Sequence, residues 1–349
     1  MSKPVGFAIV GSGMIAEVHA NAIRASGNAE LVAIYSRSAA NRADFATKFH
    51  CRAADSLAEL ANDPTVEAVC VTTPSGAHAE AAVPLLEAGK AVLCEKPLEV
   101  SVAACDRIFA AAERGGGLLA GVFQMRLGRG ARLLKAAIDA GRFGQLTLCS
   151  AYIKWWRAPS YYESSSWKGT WALDGGGALM NQGIHAVDLL QWLVGLPAEV
   201  AAFAGTLAHR TIEAEDTVAA SLRFPNGALG VIEAATSSYP GSDLRIEIAG
   251  DRGTASLVND RIVRWEFAEA QPDDELATKA DDNVVIKGGT SDPKAMSWDG
   301  HKQLIQDLAD AIRQGRPPLI PGLEARRAVQ LVLAIYEAAR TGRTVPLTP

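Results

Sequence analysis

The apolar run Val5–Val10 turns directly into Gly11-Ser12-Gly13-Met14-Ile15-Ala16, and a helix-forming stretch follows. Few folds accept that junction. In a GxGxxA turn the first glycine allows the sharp bend and the second lets a pyrophosphate approach the backbone. The N–H groups that open the following helix then face the anion. A lone glycine-rich hexapeptide is weak evidence, but one set between a first strand and a first helix predicts dinucleotide binding. Gly11, Ser12, Gly13, Met14 and Ile15 are the expected contacts.

The residues that follow keep the same grammar. Apolar runs at 31–35, 66–71, 91–94 and 118–122 alternate with Ala/Glu/Leu-rich segments such as 78–88 and 102–112, whose apolar residues recur three and four apart. Strands separated by helices imply a parallel sheet covered on both faces. Ligands of such sheets sit at the carboxyl ends of the strands, so the residues just after each run are candidates. After the second run come Ser36 and Arg37, with no Asp or Glu to accept from a ribose hydroxyl. That composition favours NADP slightly over NAD, with Arg37 and Arg42 as candidate phosphate partners. Thr73, Pro74 and His78 follow the third run, and Glu95-Lys96-Pro97 the fourth. Lys96 could donate to a substrate oxygen, and Pro97 would fix its turn, a cis bond being one way.

Strands dominate beyond a helix at 131–140. They are expected at 145–153, 198–207, 217–224, 228–236, 244–249 and 261–267, with hairpin signals at Asn226-Gly227 and Asp251-Arg252-Gly253. This predicts an open, mostly antiparallel sheet, and hence two domains, 1–123 and 124–349. An open sheet face is an association liability, so a homodimer or homotetramer is expected. Helices are expected at 179–194, 302–313 and 323–339, and 268–294 reads as a long polar loop or mobile flap. Within Gly175-Gly176-Gly177-Ala178-Leu179-Met180-Asn181-Gln182-Gly183-Ile184-His185-Ala186-Val187-Asp188, the residues Asn181, His185 and Asp188 fall on one helical face. His185 is a candidate general acid/base. The trio is a poor metal site, because Asn is a weak ligand and no second His or Cys joins it, so no metal is expected.

Aromatic residues make up only 6% of the chain, yet Tyr152, Trp155, Trp156, Tyr161, Tyr162, Trp167 and Trp171 crowd together. Something in this stretch needs rings, and Arg157 and Lys168 lie among them. A net charge of −5 argues against a nucleic-acid partner, and no apolar run is long enough to span a bilayer. The chain reads as a cytoplasmic protein without a cleavable leader. Its five cysteines, Cys51, Cys70, Cys94, Cys105 and Cys149, read as reduced structural thiols.

Taken together, Gly11 to Ala16, Thr73 to His78, Glu95-Lys96-Pro97 and the Gly175 to Asp188 stretch resemble the Gfo/Idh/MocA family of NAD(P)-dependent oxidoreductases. The resemblance covers nearly the whole chain. It implies a doubly wound Rossmann domain followed by an α/β domain on an open sheet. It also implies a dehydrogenase acting on a secondary alcohol or ketone carbon of a sugar, inositol or sugar derivative. In the family the Lys of the EKP turn and the His of the later helix sit at the substrate, which maps onto Lys96 and His185. Trp and Tyr rings stack on apolar sugar faces, and Arg157 and Lys168 could bond hydroxyls or a carboxylate, so the substrate contacts the resemblance implies are Lys96, Arg157, Tyr162, Trp167, Asn181 and His185. Two departures stand out: Asn181 where Asp is frequent, which shifts the acid/base burden to His185 and Lys96, and Gln124 where Asn is frequent, still assigned to the nicotinamide side. The alternatives are a non-catalytic dinucleotide sensor, or a redox-neutral enzyme with retained NAD of the transient-oxidation glycosidase type.

Overall fold

The computed structural model describes residues 3–272, 274–279 and 298–347. In chain order its elements begin β1 Val5–Val10, α1 Met14–Ala25, β2 Ala29–Tyr35, α2 Ala39–Phe49, β3 Arg52–Ala53, α3 Leu57–Asn62, β4 Ala68–Val71, α4 His78–Glu87, β5 Ala91–Cys94, α5 Val102–Gly115 and β6 Leu119–Gly121. They continue with α6 Arg129–Asp139, β7 Leu146–Lys154, α7 Pro159–Glu163, a π-helix Ala178–Gly183, α8 Ile184–Val194, β8 Glu199–Gly205, β9 Thr217–Arg223, β10 Leu229–Ala235, β11 Arg245–Gly250, β12 Gly253–Val258, β13 Arg261–Phe267, α9 Asp274–Ala277, α10 Asp299–Gln314, α11 Gly322–Thr341 and β14 Val345–Pro346.

The chain forms two compact units, Met1–Gln124 with Trp298–Arg326, and Met125–Ser297 with Arg327–Pro349. The first holds a six-stranded sheet in the order β3-β2-β1-β4-β5-β6, with every neighbouring pair parallel. All residues of β1, β4 and β5 are buried, as expected of strands covered by helices on both faces. Serines start the helices: Ser38, Ser56 and Ser101 accept from Asn41, Glu59 and Ala104 N–H. This unit differs from a single cut after residue 123, because α10 returns to it and packs on α1. There Asn28 Nδ2 donates to Gln306 O and Asp310 Oδ1 at 2.9 and 2.8 Å.

The second unit holds an eight-stranded sheet in the order β13-β12-β11-β7-β10-β9-β8-β14, antiparallel except for β7 against β10. Its strands alternate: along β9, Val218, Ala220 and Leu222 are buried while Ala219, Ser221 and Arg223 are exposed. One face therefore meets the core and the other is open. The Asn226-Gly227 turn joins β9 to β10, and Asp251-Arg252 joins β11 to β12. The stretch expected to be a loop from 268 is irregular over 268–272 and then carries the short α9, where Asp274 is paired with Arg142 at 2.6 Å. Its residues 273 and 280–294 lie outside the described residues. All five cysteines are free thiols, and burial pushes Cys105 and Cys149 up to about 12, which fits inert structural roles.

Candidate functional site

The strand order of the first unit reverses between β1 and β4, the position at which open parallel sheets bind ligands. Gly11 closes β1 there with φ +114, and a Cβ on it would lie 2.7 Å from Thr72 O. Only glycine fits this turn. Gly13 is the N-cap of α1, no side chain caps the helix, and a Cβ on Gly13 would meet nothing within 4 Å. The N–H groups at the start of α1 are thus left to an anion across open space, and the residues fit a dinucleotide pyrophosphate. Ser12 lies 3.0 Å from Ser36 through their hydroxyls, tying the glycine turn to the end of β2. Ile15 is half-buried, while Met14 and Arg37 are exposed. Arg42 is spent on Asp55 and on the Ser36 carbonyl, at 2.7 and 3.0 Å.

The turns after β4 and β5 are fastened together. His78 is buried, with Nε2 2.9 Å from Thr73 O and Nδ1 2.9 Å from Pro97 O. Burial favours the neutral ring, whose single N–H serves one of these carbonyls, so His78 is wedged between the two turns and bonds one of them. Thr73 Oγ1 donates to Ala77 O, and Pro74 precedes the short turn Ser75–Ala77. The Lys96-Pro97 bond is cis. Glu95 is buried and accepts from His19, His301 and the Lys96 N–H. Gln124 follows β6 and packs so closely on Gly300 that a Cβ there would lie 2.7 Å from its own Cβ.

In the second unit the glycine run is a steric necessity. A Cβ on Gly176, at φ +155, would lie 2.1 Å from Tyr336 Oη, and one on Gly177 would lie 2.0 Å from Glu215 O. The tight run lets Glu215 cap the π-helix. Gly177 N and Leu179 N donate to its carboxylate at 2.9 and 2.8 Å, and Ala178 N donates to its carbonyl at 3.0 Å. Met180 N donates to Tyr336 Oη, which itself donates to Glu215 Oε1 at 2.8 Å. Burial pushes the Glu215 carboxyl above its ordinary range despite these donors. π-Turns concentrate at functional sites, and this one carries Asn181 and leads directly into His185 on α8.

The wider turn changes the phase assumed for an uninterrupted α-helix. Asn181 Nδ2 donates to Asp174, which is fully buried and also accepts from Gly169 N at 2.7 Å. Asp188 instead forms a buried two-point ion pair with Arg126, Nε to Oδ2 at 2.8 Å and Nη2 to Oδ1 at 2.6 Å. Two residues of the expected Asn181–His185–Asp188 grouping thus carry strong bonds of their own, Asn181 to Asp174 and Asp188 to Arg126. His185 is buried on α8.

In the aromatic segment Trp155 and Tyr162 are buried, and Tyr152, Trp156 and Tyr161 are half-buried. Arg157 is buried and donates twice to Gln182 Oε1, at 3.0 and 2.7 Å, and its guanidinium faces the Trp155 and Tyr161 rings. Gln182 Nε2 donates to Tyr161 Oη and Asn181 Oδ1 at 2.8 and 3.2 Å. Tyr162 is buried with its hydroxyl 2.8 Å from Thr236 Oγ1. Lys168 sits over the Tyr161 ring at 4.0 Å, and burial pushes the Tyr161 hydroxyl up to about 12. Trp167 is half-buried and Trp171 exposed. The structure thus joins Arg157 and Asn181 through Gln182, and Tyr162 packs edge to face on Tyr161 while its hydroxyl meets Thr236. The residues sequence reasoning missed are Asp174, Gln182, Glu215, Tyr336, His19 and His301. Only Asp174, directly before the glycines, and Gln182, within the same motif, carried a local signal.

Comparison with known proteins agrees with this layout. Residues 5–122 match the model of an oxidoreductase family with an NAD-binding Rossmann fold, and residues 131–256 match the GFO/IDH/MocA C-terminal domain. Inositol 2-dehydrogenase of Rhizobium meliloti is 30% identical over 275 residues, covering 76% of this chain and 78% of the relative. Inositol 2-dehydrogenase 3 of Saccharopolyspora erythraea is 27% identical over 345 residues, covering 97% and 94%. The WlbA dehydrogenase of Bordetella pertussis, solved with NADH and UDP-GlcNAcA, superposes with a TM-score of 0.89 at 34% identity, covering 99% of this chain and all of that one. The glycine turn at the strand-order reversal, the EKP turn after β5, the open sheet and these matches agree, and the chain belongs to the Gfo/Idh/MocA oxidoreductase family.

Proposed function

We propose that the chain is an NAD-dependent dehydrogenase acting on a secondary alcohol or ketone carbon of a sugar, inositol or sugar derivative, with Lys96 and His185 serving the reacting oxygen. The observation that carries this reading is the placement of Lys96. It follows β5, at the carboxyl edge of the same parallel sheet whose β1 ends in the dinucleotide turn, with only β4 between them. When bound, the nicotinamide supplies the hydride donor or acceptor. Gly11, Ser12, Gly13, Met14 and Ile15 would hold the pyrophosphate end, and Ser36, Arg37, Thr73, Pro74 and Gln124 the rest. Lys96 holds the substrate oxygen, and His185 accepts its proton in oxidation and returns one in reduction.

The relatives support both parts of the reading. Two are named inositol dehydrogenases, and WlbA was solved with NADH and a nucleotide sugar. The cofactor is therefore taken as NAD(H). Arg37, exposed after β2 with no carboxylate following the strand, supports NADP as a second reading. Titrating both cofactors against the chain's fluorescence decides between them.

The decisive assay follows nicotinamide absorbance with myo-inositol, UDP-GlcNAcA and simple aldoses. Turnover of at least one is expected, and Lys96→Met or His185→Ala should lower it about 100-fold or more while cofactor affinity stays within a few fold. Turnover that survives both changes would sink the assignment. No absorbance change with any substrate would favour a sensor instead. The open sheet face, where Leu148 and Leu229 are register partners and Phe203 is 83% exposed, supports a homodimer or homotetramer. Light scattering that gives a monomer mass would overturn that part.

A further inference from the structure

The helix that begins at the nucleotide turn and the Lys96 turn are fastened to one buried carboxylate. Glu95 Oε1 lies 2.8 Å from His19 Nε2 on α1 and 3.3 Å from His301 Nε2 on α10. Its Oε2 accepts the Lys96 backbone N–H at 3.1 Å. His19 and His301 are 0% and 1% exposed, with ring centroids 5.0 Å apart, edge to face. Glu95 thereby gathers α1, the EKP turn and a helix 206 residues further on.

A metal ion is the obvious rival occupant, since the three ligand atoms lie within 4.8 Å of one another. A metal-bound imidazole, however, carries its proton on the other nitrogen and gives it to an acceptor. Here Nδ1 of both histidines is buried without a hydrogen-bond partner among the described residues. Such an atom is better left as a bare lone pair than as an N–H, because stranding a buried donor is costly. The two histidines therefore carry their protons on Nε2 and point them at Glu95.

We propose that Glu95, clamped by His19 and His301, is a positioning residue for Lys96, fixing the EKP turn relative to the helix that begins at the dinucleotide site. Its catalytic consequence rests on the reading above that Lys96 holds the substrate oxygen. The clamp needs an ionised carboxylate and two Nε2–H donors. Gln in place of Glu95 offers one acceptor and one donor where three donors converge, so it loosens the turn at nearly unchanged volume. The chain segment that supplies His301 is thus part of the functional architecture of the nucleotide unit.

Competitive acetylation of the intact protein, read lysine by lysine by mass spectrometry, tests this without turnover. Glu95→Gln and His301→Leu should change the labelling rate of Lys96 by about fivefold or more, because a lysine's reactivity follows its surroundings, and leave Lys48 and Lys135 unchanged. His301→Gln, whose amide nitrogen can stand in for Nε2, should restore the wild-type rate. If Glu95→Gln does not fold, the His301 pair carries the test. In assays, Glu95→Gln should lower kcat about tenfold or more with cofactor KM within a few fold, the pattern of misplacement rather than lost binding. An unchanged Lys96 labelling rate overturns the proposal, as do stoichiometric bound zinc or an Nδ1–H tautomer in imidazole nitrogen NMR. Altered labelling with unchanged kcat supports the clamp and overturns instead the catalytic reading of Lys96.

Discussion

Two buried carboxylates hold the two candidate catalytic segments, and they do so in opposite ways. Glu95 meets two histidine side chains brought from distant elements, plus one backbone N–H. Glu215 meets two backbone N–H groups of a nearby helix start, plus a tyrosine hydroxyl. Burial raises both carboxyls. At Glu95, hydrogen bonds and attraction from His19 and His301 outweigh burial and hold it well below the ordinary range, whereas at Glu215 burial wins. A carboxylate facing groups able to become cations keeps its charge. One facing only neutral dipoles keeps its geometry and surrenders part of its acidity.

Removing either carboxyl should break this comparison most visibly. Glu215→Ala strands the Gly177 and Leu179 N–H groups and the Tyr336 hydroxyl, and should cost about 3–5 kcal/mol in urea unfolding. Gly176→Ala drives a methyl into Tyr336 Oη and should cost about 2–4 kcal/mol. Tyr336→Phe alone should cost about 1–2 kcal/mol. Because it also removes the clashing atom, the Gly176→Ala/Tyr336→Phe pair should be less destabilised than the two single losses added, by about 1 kcal/mol. Strict additivity would mean that the hydroxyl does not set the glycine requirement.

The finest discrimination is in pH. The folded-state pKa of Glu95 lies below its unfolded value of 4.5, so its contribution is complete above that pH and is lost as pH falls further. That of Glu215 lies above 4.5, so its contribution is present below that pH and fades as pH rises through the folded value. Glu95→Gln should flatten the acid limb of the stability curve, and Glu215→Gln should remove a decline on the alkaline side of 4.5. Two variants bending the curve in the same direction would erase the distinction.

The first unit was the more legible in sequence. Its strands are apolar on both faces, so Val5–Val10 and Ala91–Cys94 announce themselves, as does the glycine turn. The two-residue exposed strand Arg52–Ala53 carries no periodicity and was not foreseen. In the second unit, Gly253–Val258 escaped notice because Gly, Thr, Ala and Ser weaken its apolar signal. The π-turn was invisible, since a helix of ordinary pitch fits Leu179 to Val194 equally well. Consequently the motifs that carry Lys96 and His185 are readable in sequence, but the groups that hold those segments are not. Glu215, Tyr336, His19 and His301 come from elsewhere in the chain, and only folding brings them to the glycine run and the EKP turn.

The return of α10 to the first unit also limits how this molecule can be recombined. Residues 5–122 read as a self-contained cassette, yet a fragment cut there would lack one of the two histidines on Glu95 and leave bare the face of α1 that meets α10. Transplanting the nucleotide-binding half onto another C-terminal unit would require carrying Asp299–Gln314 as well.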